Sequence, residues 1–71
     1  MDSQDESLSG LVERVTYHNA DTGYCVLRIK AERQKDLVTV VGYANAVSPG
    51  EFIQVSGKWF NDRNYGTSFA L

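Results

Sequence analysis

A chain of 71 residues suffices for one compact domain and not two, and at this size only about 60% of the unfolded surface can be buried, so the core must be small. The composition, 42% hydrophobic with four Tyr, three Phe and one Trp, excludes a disordered chain, while no apolar run approaches the roughly 20 residues of a membrane-spanning helix. The formal charge of -2 excludes a globally basic nucleic-acid binder; without Asp2, Asp5 and Glu6 near the start, the nine acids fall to six against seven Lys and Arg, or +1, so only a local patch can attract phosphate.

Residues 1–7 read as a disordered acidic leader, and residues 8–71 as one domain. The leader lacks the basic region and apolar stretch of a secretory signal, so a cytoplasmic protein is expected. From Leu8 to Tyr17 the chain is rich in β-formers and reads as the first strand, with Gly10 marking a bulge or a strong bend. His18-Asn19-Ala20-Asp21-Thr22-Gly23 supplies turn chemistry for a hairpin. The second strand, Tyr24–Lys30, alternates: Cys25, Leu27 and Ile29 face the core, and Tyr24, Val26, Arg28 and Lys30 face out.

After a polar connection over residues 31–36, the run Leu37–Tyr43 is too β-branched and too short for a helix and reads as the third strand. A short link containing Ser48-Pro49-Gly50 leads to the fourth strand, Glu51–Phe60, in which Gly57 interrupts the apolar parity where a tightly curved barrel needs space. Asn61–Gly66 reads as a hairpin loop, and Thr67–Leu71 begins a fifth strand. The sequence stops inside that apolar strand, which leads us to expect a domain cut from the N-terminal end of a longer chain. Five short strands between turn signals predict an all-β fold, a small OB-like Greek-key barrel, with an SH3-like barrel as the alternative. The expected core is Val15, Leu27, Ile29, Val41, Ile53, Val55 and Trp59.

The segments Gly10-Leu11-Val12-Glu13-Arg14-Val15-Thr16-Tyr17-His18-Asn19 and Gly23-Tyr24-Cys25-Val26-Leu27-Arg28-Ile29 resemble the N-terminal OB domain of RecD-like ATP-dependent DNA helicases of the YrrC type. Leu37-Val38-Thr39-Val40-Val41-Gly42, Pro49-Gly50-Glu51 and Gly57-Lys58-Trp59 follow in the same order, so the resemblance extends over nearly everything after the leader. It implies a parent chain that hydrolyses ATP, with Mg, and moves 5′ to 3′ along single-stranded DNA in repair or recombination, of the kind described as exodeoxyribonuclease V alpha-subunit-like. The motor's Gly-x-x-x-x-Gly-Lys-[Ser/Thr] phosphate loop is absent from these residues. The segment itself is therefore expected to be non-catalytic, cofactor-free and monomeric, with the rest of the parent chain as its partner.

No constellation for catalysis stands out. His18, the one histidine, sits in a turn, and Cys25, the one cysteine, alternates with Leu27 and Ile29, which describes a buried small hydrophobe better than a nucleophile. A metal site has too few ligands, and the acids are scattered. What remains is a surface: Tyr24, Arg28 and Lys30 on the outward parity of the second strand, with Arg33 and Lys35 in the turn after it. Aromatics that stack on bases beside cations that meet phosphates make a single-stranded DNA contact, and a solvated strand face is the plainer reading. Phe60 and Tyr65 around the last hairpin are candidates for packing on the rest of the parent chain.

Overall fold

A computed structural model describes residues 5–71. Five strands, β1 (Glu6–His18), β2 (Tyr24–Ala31), β3 (Val38–Tyr43), β4 (Phe52–Asp62) and β5 (Gly66–Ala70), close into a barrel in the order β1-β2-β3-β5-β4, with β4 pairing back on β1. Every pairing is antiparallel except β3 with β5. The all-β, five-stranded OB-like barrel is thus the fold.

β1 starts earlier than Leu8, with Glu6 and Ser7 opposite Gly57 and Ser56. Side-chain polarity suggested a leader there, but a strand on a barrel's outside is held by its backbone, and polar side chains do not oppose pairing. The remainder of the acidic leader, residues 1–4, lies outside the described residues.

β1 is the strand that turns the corner. Its first half pairs with β4 and its second half with β2, and Gly10 faces both Ile53 and Ala31. A Cβ on Gly10 would stand 2.5 Å from the Lys30 carbonyl oxygen and 2.7 Å from the Ala31 Cα, so the crossing requires glycine. Two register shifts against β2 leave Glu13 and Thr16 without a cross-strand partner. Each shift resets which face the following residues occupy. Leu8 and Val12 are buried ahead of the shifts and Val15 packs against the core beyond the first of them, so Leu11, which shares the number parity of Val15, is left 40% exposed.

The core holds Leu27 and Ile29 as expected, with Leu8, Val12, Cys25, Ala31, Val38, Val40 and Phe69. Val15, Ile53, Val55 and Trp59 are partly buried and pack against it. Val41 belongs outside: Val40 opposite Leu27 and Val38 opposite Ile29 take the inward positions. Two adjacent valines give no alternation of their own, and the pairing with β2 decides between them.

Cys25 is 1% exposed, and burial pushes its thiol pKa up. Since the thiolate is the nucleophile, a thiol reagent at mildly alkaline pH is expected to label Cys25 only as fast as the barrel opens. Immediate labelling of the native chain would mean that β2 sits in the opposite register.

Candidate nucleic-acid interface

The outward face of the barrel is best read as rows running across the strands. One row is Arg14, Arg28, Thr39, Ser68 and Phe60; the next is Tyr17, Val26, Val41, Ala70 and Lys58. Tyr24 and Tyr43, directly opposite each other, add a third beside it. These three rows carry three tyrosines and three cations and no carboxylate.

Local turns fix the tyrosine end. Asn19 Oδ1 accepts from the backbone N–H groups of Asp21 at 2.9 Å and Thr22 at 3.2 Å, and Thr22 Oγ1 accepts from that of Tyr24 at 3.2 Å, so the side chains of the turn set where β2 begins. Gly23 takes a φ of 83°, the left-handed conformation a glycine adopts freely. Its carbonyl accepts from Ala44 N–H at 3.0 Å, tying the first turn to the end of β3. The Tyr24 ring lies between two others, with centroids 6.4 Å from Tyr17 and 5.3 Å from Tyr43, the latter edge to face at 71°. Tyr24 is consequently half-buried while Tyr17 is 50% and Tyr43 71% exposed.

The other end is built around Arg28. Its Nη1 donates to Thr39 Oγ1 at 2.8 Å, and its guanidinium carbon lies 5.7 Å from the centroid of the Tyr65 ring, within cation–π range. Thr39 and Ser68 on this row are buried although they point outward. Tyr65 is held by the turn before it, where Asp62 Oδ1 accepts from Asn64 N–H at 2.7 Å and Tyr65 N–H at 3.1 Å. Arg14 stands directly opposite Arg28; like charges so placed are mutually destabilising, and an anion bound between them would relieve it.

Of the residues singled out in the sequence, Tyr24, Arg28 and Lys30 share this face, Lys30 standing exposed one row beyond Arg28. Lys35 joins its border: with Gln34, Asp36 and Tyr65 it lines a cleft of about 330 Å³ between the β2–β3 and β4–β5 loops. Arg33 is set apart. Its φ of 67° turns the chain, and it lines a separate cavity of about 230 Å³ with Ser7, Leu8, Ser9 and Trp59. Tyr65, 47% exposed, stands beside Arg28, and Phe60, 37% exposed, lies further round the barrel on β4, opposite Ser68.

Sequence reading missed Arg14, Tyr17, Tyr43 and Lys58. The first two lie beyond register shifts that strict alternation does not reveal. Tyr43, by contrast, was within reach, because a hairpin-like pairing of the second and third strands sets it opposite Tyr24. Among the described residues no three of His, Cys, Asp and Glu come together to hold a metal.

The family model for the OB-fold domain of the ATP-dependent DNA helicase YrrC matches residues 5–71. No curated protein and no solved structure matches the chain. With the match spanning the whole closed barrel, from before β1 to beyond β5, the chain belongs to the YrrC-type helicase OB-fold family.

Proposed function

We infer that this domain is a non-catalytic accessory module of a RecD-like 5′ to 3′ DNA helicase, and that it contacts single-stranded DNA weakly through the outward face of β1, β2 and β3. The single observation that carries the reading is the Arg14–Arg28 pair set beside the Tyr17–Tyr24–Tyr43 cluster on rows without a carboxylate. Cations with neighbouring aromatic rings satisfy both halves of single-strand binding, phosphate attraction and base stacking. ATP and Mg chemistry belongs, in this reading, to the motor of the parent chain.

The contact is weak by arithmetic. A body with a net charge near zero has little long-range field, and about three phosphate contacts give a salt slope of only about -2 for a single strand. Binding gains strength when a motor presents the strand at high effective concentration.

The test is a salt titration of oligonucleotide binding to the wild-type chain and to an Arg14→Gln/Lys30→Gln variant. Both side chains are exposed, so folding is expected to survive. The variant is expected to bind several-fold more weakly, with a slope shallower by about 1.4 for two lost contacts. An unchanged affinity and slope would sink the DNA reading.

A second reading has its own observation. Leu11 and Phe52 lie directly opposite each other across β1 and β4, 40% and 62% exposed, an apolar pair that the remainder of a parent chain could cover. In that reading, with Phe60 and Tyr65 also as contacts, the barrel is a docking scaffold without a nucleic-acid role.

A further inference from the structure

The three tyrosines and the arginine are not equivalent, and their packing divides them. Tyr24 has neighbouring rings on both sides, with Tyr43 edge to face against it, so little of it is free to meet a base. Arg28 is likewise engaged, by Thr39 and by the Tyr65 ring. Of the two rings flanking Tyr24, Tyr43 is the more exposed, at 71% against 50% for Tyr17, and the ring beside Arg28 is Tyr65, 47% exposed. Tyr65, beside the Arg28 guanidinium, also lines the cleft between the β2–β3 and β4–β5 loops, where a ligand can reach it.

We propose, resting on the single-strand reading above, that Tyr43 and Tyr65 are the two base-stacking platforms of a three-nucleotide footprint, and that Tyr24 and Arg28 are positioning residues that hold them. The spacing supports the count. Tyr24 and Arg28 mark the two ends and are separated by about 13 Å along a strand, which is roughly two steps of an extended single strand. A base rests at each end, and the middle nucleotide crosses Val26 and Val41, which lie between the two ends on the same face and offer no ring. Its phosphates pass the Arg14–Arg28 pair, where the face is most positive.

The reaction of the face to single lesions separates this arrangement from uniform stacking. NMR titrations at low salt would compare thymidine trinucleotides carrying one abasic position with the intact trinucleotide, on the wild-type chain and on Tyr43→Leu, Tyr65→Leu, Tyr24→Leu and Tyr24→Phe. Loss of an end base is expected to weaken binding about tenfold, the loss of one stack, and loss of the middle base to change it less than twofold, on the order of an uncontacted position.

Tyr43→Leu is expected to weaken intact trinucleotide about tenfold and to add nothing when the base at its own end is already missing; Tyr65→Leu behaves likewise at the other end. Tyr24→Leu should lower affinity only while the end base is present, and Tyr24→Phe, which keeps the ring, should restore it. Equal losses at all three positions, or a Tyr43→Leu effect that persists without the end base, would overturn the footprint while leaving DNA binding intact. No binding of any oligonucleotide by the wild-type chain would remove the underlying reading and the footprint with it.

Discussion

Gly57→Ala is expected to abolish folding of the barrel. An alanine Cβ at this position would overlap the Ala70 carbonyl oxygen and lie 2.8 Å from its carbon and 3.0 Å from Phe69 Cε2. The first two are backbone atoms of β5, held by the ladder that pairs Lys58 with Ala70 and Trp59 with Phe69, so no side-chain rotation relieves the overlap. Overpacking in a core costs about 1–3 kcal/mol when side chains can give, and backbone displacement at the seam raises it above that range. A 71-residue domain has roughly 4–11 kcal/mol in total. Urea melts followed by circular dichroism should show no cooperative transition for Gly57→Ala. Gly66→Ala is the control: nothing lies within 4 Å of its added Cβ, and its φ of 76° predicts a loss of about 1 kcal/mol. A wild-type midpoint for Gly57→Ala would mean that β4 does not cross β5 this closely.

Phe69→Ala is expected to destabilise by about 3–5 kcal/mol, the range for removing a buried aromatic ring. Phe69 is fully buried and stands edge to face against Trp59, with ring centroids 5.1 Å apart at 78°, so its loss leaves a cavity and an unpartnered indole. Because the chain has one tryptophan, Trp59 fluorescence reports the event directly: emission should shift to the red and the urea midpoint should fall. Phe69→Leu refills much of the volume and should lose less than half as much. Leu27→Ala, at about 2–5 kcal/mol, is the comparison on the opposite side of the core. Equal midpoints for Phe69→Ala and wild type would contradict burial of this ring.

How far the sequence was legible follows from where its periodicity was undisturbed. β2 alternates without interruption, and its inward residues, Leu27 and Ile29, and outward ones, Tyr24 and Arg28, were all readable. β1 carries two register shifts, and parity cannot be carried through an inserted residue without knowing where it falls; Tyr17, which shares the number parity of Val15, was hidden for that reason. Val40 and Val41 were indistinguishable because identical neighbours contain no phase. The glycines were more informative than the aliphatics. Gly10 and Gly57 broke otherwise apolar patterns, and both prove to be points where another strand's backbone leaves no room for a Cβ. Arg33 and Lys35, close in sequence, line different cavities, since turn geometry rather than spacing decides where loop side chains go.

The parallel pairing of β3 with β5 has a kinetic meaning. β5 is the last of these five strands and lies between β3 and β4; it can zip onto β4 from the turn that joins them, but not onto β3. The hairpin of β1 and β2 and the addition of β3 need only local loops, whereas closing β5 onto β3 joins Thr39 to Ser68 across the intervening chain. Contacts of such sequence separation come late, after the loop entropy has been overcome. Until then β3 and β5 each present an open edge able to recruit a strand from another molecule. Refolding should accordingly slow and lose yield at high protein concentration, while Trp59 and Phe69, paired within the β4–β5 hairpin, report formation of that hairpin rather than the closure.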